Sequence, residues 1–310
     1  MTDTRCRAVV FAYHDVGVRC LGVLLEAGVE VSLVVTHRDD PGEQIWFASV
    51  AELAARHGIE TLFPDDPNSS GMLTRIRGLQ PEFIFSFYYR RMLCVELLAA
   101  AKRGAFNMHG SLLPKYRGRV PVNWAVLHGE RETGATLHEM VEKPDAGRIV
   151  DQQVVPIGPD DQAVEVFRRV TDAAETVLRR SLPGLIDGSA VLKPQDLAQG
   201  SYFGGRRPED GRVDWHQSAQ SVHNLVRAVA PPYPGAFCDI AGVRVRILRT
   251  RLEPLRQARA GGPGLYREDD RWFADCGDGK VLRLLELAAE GVALAAHAQG
   301  GEKILFASSP

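Results

Sequence analysis

The sequence is poor in cysteine. Its 310 residues include five cysteines, an odd number, which lie far apart and show no paired spacing. They are Cys6, Cys20, Cys94, Cys238 and Cys276. Such a set fits reduced thiols in a cytoplasm better than a disulfide framework or a zinc site.

Long apolar segments are also missing. No apolar run approaches the length of a membrane span, and the opening residues, Met1-Thr2-Asp3-Thr4-Arg5, lack the apolar core of a signal peptide. Together with the cysteine pattern, this predicts a cytoplasmic protein that has no membrane partner.

Neither sign of charge is in excess. The chain has 37 basic and 39 acidic residues, and its 45% hydrophobic and 25% charged content is ordinary for a soluble globular protein. The formal net charge of -2 argues against a nucleic-acid partner, although it is compatible with a local basic patch. The length allows one large domain or two modest ones.

Several familiar motifs are absent. The first predicted strand-to-helix turn lacks Gly-x-Gly-x-x-Gly, and the chain has neither a Gly-x-x-x-x-Gly-Lys-Ser/Thr phosphate loop nor a Gly-x-Ser-x-Gly elbow. His14, His128 and His138 are scattered without the spacing of metal ligands. We therefore expect no NAD, no metal and no acyl-serine hydrolase.

Short apolar runs alternate with amphipathic segments in the first part of the chain. The predicted strands are Arg7 to Tyr13, Val29 to Thr36, Ile59 to Phe63, Phe83 to Phe87, and one that starts Gly104-Ala105-Phe106. The predicted helices are Cys20 to Ala27, after a loop His14-Asp15-Val16-Gly17, then Trp46 to His57, Met72 to Leu79 and Ala163 to Ile186. This alternation predicts an α/β fold with a doubly wound, mainly parallel sheet.

The composition changes near residue 200. The segment from Gln199 to Pro208 is rich in turn-forming residues and suits a linker. A helix around Ser218 to Val229 is followed by short alternating runs such as Val243 to Ile247. We predict a first domain over residues 1–200 and a smaller, mostly β domain over residues 201–310, with an OB-like barrel.

Three polar residues are the main candidates for chemistry. Asn107 and His109 are two apart, so on an extended strand their side chains point to the same face, at the carboxyl end where open parallel sheets build their sites. Asp145 follows in the turn Lys143-Pro144-Asp145-Ala146-Gly147. An imidazole moves protons, a carboxamide steadies an oxyanion and a carboxylate supports the imidazole, as acyl transfer between nitrogens requires. Each residue alone is more often structural.

The surrounding sequence resembles the 10-formyltetrahydrofolate-dependent formyltransferases. That family has Asn-x-His, then Ser-Leu-Leu-Pro with a basic or aromatic pair and Arg-Gly, and later Asp-x-Gly. This chain has Asn107-Met108-His109, then Ser111 to Gly118 reading Ser-Leu-Leu-Pro-Lys-Tyr-Arg-Gly, and Asp145-Ala146-Gly147. The resemblance extends from about residue 7 to about residue 240.

Flanking stretches resemble one branch of that family most. They include Val10 to Asp15, Phe85 to Arg90, Arg117 to Trp124, Phe203 to Pro208 and Arg227 to Phe237. The branch is the formyltransferase portion of the bifunctional polymyxin-resistance enzyme of lipid A modification, which acts on UDP-4-amino-4-deoxy-L-arabinose. The 310 residues leave no room for that enzyme's NAD-dependent decarboxylase half. We therefore expect formyl transfer only.

The resemblance implies roles for particular residues. Asn107, His109 and Asp145 match the catalytic positions, with Asn107 and His109 facing the oxyanion, His109 shuttling the proton and Asp145 stabilising the imidazolium. A second group matches positions that hold the folate: Arg91, Met92, Leu93, Arg119, Val141, Glu142, Lys143, Pro144 and Asp145. The implied co-substrate is 10-formyltetrahydrofolate, without a metal or NAD. Met92 and Leu93 can equally serve the core.

Three other functions share these features. They are methionyl-tRNA formyltransferase, formyltetrahydrofolate hydrolase with water as the acceptor, and a non-catalytic module that binds a nucleotide sugar or folate. The expected partners are a small nucleotide sugar and a folate, and the sequence leaves a homo-oligomer open. Arg206 and Arg207 are candidate contacts for the anionic part of a nucleotide.

Overall fold

A computed structural model describes residues 6–240, 243–289 and 303–305. Met1 to Arg5, at the start of the first predicted domain, and the C-terminal end of the second predicted domain lie outside the described residues. The chain folds into two compact units. The first comprises residues 1–121, 133–156 and 167–204, and the second comprises residues 122–132, 157–166 and 205–310. The predicted bounds at residues 200 and 201 stay a prediction.

The first unit is built on a seven-stranded sheet in the order β3-β2-β1-β4-β5-β7-β8. The strands are β1 (Arg7–Ala12), β2 (Glu30–Val35), β3 (Thr61–Leu62), β4 (Phe83–Phe87), β5 (Gly104–His109), β7 (Glu132–Glu139) and β8 (Ile149–Pro156). Strands β1 to β5 are parallel, and β7 pairs with β5 in the antiparallel sense. All of β4 and nearly all of β1 are buried, as their continuous apolar runs predict for inner strands of a parallel sheet.

Helices follow the early strands. They are α1 (His14–Glu26), α2 (Val50–Arg56), α3 (Ser70–Leu79), α4 (Val95–Leu98), α5 (Pro121–Leu127) and α6 (Ala163–Asp187), with a 3-10 helix at Leu197–Gln199. One core cluster, formed by residues such as Phe11, Ile84 and Leu97, holds the sheet together. Among the described residues, no helix is both long enough and apolar enough to cross a membrane.

The structure corrects three local predictions. Helix α1 begins at His14, so the predicted loop from His14 to Gly17 is wrong. Helix α2 begins at Val50 rather than Trp46, because the Ser49 hydroxyl accepts from Glu52 N and caps it there. Within the predicted linker, β9 (Tyr202–Phe203) pairs with β6 (Arg117–Gly118).

The second unit contains a six-stranded sheet in the order β10-β11-β14-β13-β12-β15. Its strands are β10 (Ala236–Ile240), β11 (Val243–Gln257), β12 (Gly264–Glu268), β13 (Arg271–Asp275), β14 (Lys280–Ala289) and β15 (Ile304–Leu305). Every pairing is antiparallel. The unit also contains a 3-10 helix (Pro208–Gly211) and α7 (Ala219–Val229). The predicted fold class, a mainly parallel α/β sheet with a smaller, mostly β part, is confirmed.

Candidate active site

The three candidate residues meet in the first unit. Asn107 and His109 lie on β5, and Asp145 comes from the loop after β7. His109 Nδ1 is 3.6 Å from Asp145 Oδ1, and Asn107 Nδ2 is 3.5 Å from the same oxygen. The site is shielded from solvent, since the His109 side chain is 7% exposed and that of Asp145 13%. An imidazole, an amide and a carboxylate therefore converge, as expected.

The tautomer of His109 follows from its backbone partner. His109 Nε2 lies 2.8 Å from the carbonyl oxygen of Tyr116, and a carbonyl only accepts, so Nε2 carries a hydrogen. In the neutral ring, Nδ1 then holds the lone pair and faces the Asp145 carboxylate. Nδ1 is consequently the nitrogen that can take a proton, with a negative charge ready beside it.

Asp145 is held as an anion. Burial on its own would raise the pKa of its carboxyl group, but this is outweighed by the positive charge that the neighbouring His109 and His138 rings carry when protonated and by the Gly118 N–H. The Gly118 N–H donates to Asp145 Oδ2 at 2.9 Å. The pKa is held well below its usual value, so Asp145 is ionised at neutral pH.

Backbone geometry places that carboxylate. Asp145 has a φ of 52°, a left-handed conformation that suits the tight turn it occupies. A Cβ on Gly147 would lie 1.9 Å from the carbonyl oxygen of Glu139, so the turn packs directly on the end of β7. Gln195 Nε2 donates to the carbonyl oxygens of Asp145 and Gly147 at 3.1 and 2.6 Å, which fixes the loop from the other side.

His138 is a site residue that the sequence pattern missed. It is paired with Asn107 across β5 and β7 and is 1% exposed. Its Nδ1 donates to the carbonyl oxygen of Glu139 at 2.8 Å, so Nε2 is free to accept from Asn107 Nδ2 at 3.1 Å. The antiparallel pairing of β7 was the missing information, because sequence spacing does not bring residues 107 and 138 together.

Ser111 organises the loop after β5. Its hydroxyl is buried and donates to the carbonyl oxygen of Lys115 at 2.7 Å. His109 Nε2 is itself engaged with the Tyr116 carbonyl. Ser111 is therefore not aligned for attack with His109 as its base.

The residues matched to folate binding lie on three segments. Arg91, Met92 and Leu93 form part of the loop between β4 and α4, where Arg91 and Met92 are exposed and Leu93 is half-buried. Val141, Glu142 and Lys143 are exposed in the loop after β7, while Pro144 and Asp145 are half-buried. Leu93 and Met140, at the bases of the first two loops, pack against one core cluster. Arg119 is exposed and adjoins Gly118, the donor to Asp145.

The two candidate contacts for a nucleotide, Arg206 and Arg207, belong to the second unit. The Arg206 guanidinium lies 4.8 Å from the centre of the Trp124 ring and donates to the carbonyl oxygen of Asp210. The backbone N–H of Arg207 donates to the Asp210 carboxylate. Among the described residues, no group of three or more His, Cys, Asp or Glu side chains could hold a metal ion.

The fold and site define a class of protein: a mainly parallel α/β protein with an imidazole, amide and carboxylate beside the carboxyl end of an inner strand. Residues 23–182 match the family model described as formyl transferase, and residues 206–298 match the formyl transferase C-terminal domain. Because the first match alone covers more than half of the chain, the protein belongs to the formyl transferase family. The prediction of a formyltransferase is confirmed.

Solved structures agree on the fold. An N-formyltransferase from Helicobacter canadensis, in complex with folinic acid and dTDP-3-aminofucose, is 21% identical with a TM-score of 0.71, over 91% of this chain and 99% of that one. WlaRD, a sugar 3N-formyl transferase solved with dTDP and 5-N-formyl-THF, is 20% identical with a TM-score of 0.70, over 90% and 97%. A sugar N-formyltransferase from a Shewanella species is 18% identical with a TM-score of 0.62, over 78% and 96%.

Proposed function

We propose that this protein transfers the formyl group of 10-formyltetrahydrofolate to the amino group of a nucleotide-linked amino sugar. The observation that carries the proposal is the convergence of Asn107, His109 and ionised Asp145. Nothing in this arrangement calls for a covalent enzyme intermediate, because proton transfer and oxyanion stabilisation suffice for transfer between two nitrogens.

The roles follow from the geometry. The neutral acceptor amine forms a bond to the formyl carbon, and His109 Nδ1 takes the proton that the amine gives up. The resulting imidazolium is stabilised by Asp145 Oδ1, 3.6 Å away. The same proton then passes to N10 of the folate as the carbon–N10 bond breaks, which leaves the N-formylated nucleotide sugar and tetrahydrofolate.

Asn107 supplies the donor for the oxyanion. One of its N–H groups is held by His138 Nε2 at 3.1 Å, whereas the contact with Asp145 Oδ1, at 3.5 Å, is at the upper limit of a hydrogen bond. The second N–H is therefore the one that can turn to a substrate oxygen. Such donors act most strongly where water is excluded, as in this buried site.

The assignment of 10-formyltetrahydrofolate as the formyl donor is supported by exposed apolar side chains in two loops. Met92 is 58% exposed and Val141 is 39% exposed, and both belong to the segments matched to folate binding. Apolar side chains of this kind can be covered by a flat pteridine, whose polar edge is read by loop backbone groups. Two of the matched structures contain formylated folates.

For the acceptor we propose UDP-4-amino-4-deoxy-L-arabinose. The support is the set of flanking stretches that resemble the polymyxin-resistance branch, while two of the matched structures contain dTDP or a dTDP-sugar. We place the reaction in the cytoplasm, and its product in lipid A modification, as that resemblance implies.

The test is a panel of acceptors. The protein is incubated with 10-formyltetrahydrofolate and UDP-4-amino-4-deoxy-L-arabinose, dTDP-3-amino sugars, initiator Met-tRNA or water alone, and the formylated product is identified by mass spectrometry. We expect the UDP sugar to be formylated fastest. Formyl appearing on tRNA alone, or released to water in every reaction, would refute the proposal.

A variant links the activity to the site. His109→Ala should lower turnover by at least about 10²–10³, the usual cost of removing one such group, while folate binding stays measurable. Turnover close to that of the wild type in this variant would exclude the proton transfer assigned to His109.

A further inference from the structure

His14 has an unusual backbone conformation at a place where sites are built. It is the first residue of α1, two positions after β1 ends, and has a φ of 67°. Left-handed backbone is uncommon for a residue that has a Cβ, and such residues cluster at binding and active sites. The end of β1 is tied to β4, because Tyr13 N donates to the carbonyl oxygen of Phe87.

The tautomer of His14 is fixed by the backbone N–H of Asp15. Its Nδ1 accepts from the backbone N–H of Asp15 at 2.9 Å, so the neutral ring carries its hydrogen on Nε2. Burial, aided by the charge of Arg90, lowers the pKa of His14 to about 3, which keeps the ring neutral at physiological pH. Within residues 6–240, 243–289 and 303–305, no group accepts from Nε2. His14 thus offers one neutral N–H donor.

Aromatic rings pack around the imidazole of His14. The His14 ring is stacked on Phe47 with centroids 3.9 Å apart, and meets Trp46 and Phe167 edge-on at 4.6 and 4.7 Å. Trp46 and Phe47 are half-buried rather than enclosed in the core. We name Trp46, Phe47, Phe167 and Tyr88 the aromatic shelf.

The aromatic shelf reaches the candidate active site. Phe167 contacts Tyr88 edge-on at 5.6 Å between centroids. The Tyr88 hydroxyl in turn lies on Gly110, where an added Cβ would come within 1.9 Å of it. Gly110 directly follows His109. A continuous line of ring contacts therefore joins His14 to the residue next to the proposed base.

We propose that His14 and the aromatic shelf bind the pyrimidine base of the acceptor nucleotide, with His14 Nε2 donating to a base carbonyl oxygen. This inference rests on the proposed function and adds to it the residues that select the acceptor. Uracil and thymine are flat, so they can stack on an aromatic surface, and each carries two carbonyl oxygens that can accept from a neutral donor. A charged phosphate suits such a surface less well. The folate is left to the loops around residues 91–93 and 141–145.

The test measures binding of UDP alone by calorimetry, so that it does not depend on turnover. His14→Phe keeps a ring and removes the donor, and His14→Asn suits left-handed backbone but is too short to reach the base. We expect both variants to bind UDP at least about tenfold more weakly, as expected when a buried carbonyl loses its donor. Affinities for 5-formyltetrahydrofolate and inorganic pyrophosphate should change less than about twofold.

The matched control is His57→Phe, the same substitution at an exposed histidine that follows α2. It should bind UDP like the wild type. The inference is overturned if the wild type does not bind UDP, or if every soluble, cooperatively melting His14 variant binds it with unchanged affinity. If the wild type formylates the UDP sugar while His14 variants keep their affinity, the inference alone fails. If no nucleotide sugar is formylated, the proposed function fails.

Discussion

At the scale of single residues, backbone carbonyls decide what each histidine can do. The Tyr116 carbonyl fixes the hydrogen of His109 on Nε2, and the Glu139 carbonyl fixes that of His138 on Nδ1. One ring is left with its lone pair toward Asp145, and the other with its lone pair toward Asn107. His109 is therefore placed to move a proton, whereas His138 is placed to orient the amide.

This difference predicts a particular behaviour for His138. Replacing it by Leu removes the acceptor that orients Asn107, and kcat should fall by up to about a hundredfold, the cost of slight misplacement, with little change in KM for either substrate. His138→Gln keeps an acceptor and should recover part of the loss. Steady-state kinetics for both substrates provides the measurement. Equal kcat in the Leu and Gln variants would show that His138 only fills space.

Asp145 predicts a pH dependence of stability. Its carboxyl binds a proton more weakly in the folded chain than in the unfolded one, because the folded pKa is lowered. The resulting stabilisation is complete above the unfolded pKa of about 4 and is lost as the pH falls toward the folded pKa. Denaturant unfolding should therefore show the wild type more stable than Asp145→Asn by about 2 kcal/mol at pH 7. This is the usual contribution of a hydrogen bond to a charged group.

The gap between the two proteins should narrow below about pH 4. A gap that stays constant from pH 7 to pH 3 would mean that the carboxylate gains nothing from its neighbours. Asp65→Asn serves as a control for a more general effect of removing one carboxylate, since Asp65 is exposed and distant in sequence from the site.

At the scale of elements, local patterns predict strands better than helix starts. The run Phe83 to Phe87 becomes β4 with the predicted bounds, because five consecutive apolar or small residues suit a strand buried on both faces. The prediction of a loop from His14 to Gly17 is wrong because it treats Gly17 as a turn residue. That glycine lies inside the helix, where a Cβ would meet Val50 at 2.9 Å, so it serves close packing rather than a turn.

The parts of the site that the sequence left unseen depend on pairing between distant segments. Asn107 and His109 could be placed from their own strand. His138 joins them only through the β5–β7 register, and Gln195 only through the fold of the chain after α6. Long-range register is set by which faces become buried together, which a local pattern does not specify.

Gly147 predicts the sensitivity of the turn that carries Asp145. In Gly147→Ala the new Cβ would clash with the Glu139 carbonyl, 1.9 Å away, so the turn must shift and carry the carboxylate with it. We expect kcat to fall about a hundredfold and the free energy of unfolding to drop by about 1–3 kcal/mol.

Gly71→Ala is the matched control for this turn. Gly71 lies in α3 with nothing within 4 Å of an added Cβ, so alanine there should leave kcat unchanged and stabilise the helix slightly. Enzyme kinetics and denaturant unfolding on both variants separate the cases. If Gly147→Ala keeps wild-type kcat, the position of Asp145 does not depend on this close contact.

At the scale of the whole molecule, the class of fold could be predicted from the sequence. The two compact units, however, are each made of several separate segments of the chain. Residues 122–132 and 157–166 precede the predicted boundary near residue 200 and yet belong to the second unit. Composition changes mark where a linker lies in the sequence. They do not reveal which earlier segments pack with a later sheet, because that packing forms between residues far apart in the chain.

The net charge leads to a prediction about the kind of acceptor. A polynucleotide acceptor would be held by many phosphate contacts, and its affinity would fall about 10³–10⁵-fold between 50 and 200 mM salt. The chain has a formal net charge of -2, and a nucleotide sugar carries a single diphosphate. We therefore expect KM for the UDP sugar to rise by less than about tenfold over that range, measured at saturating folate. A rise of a thousandfold or more would instead favour a macromolecular polyanion, and with it the tRNA formyltransferase alternative.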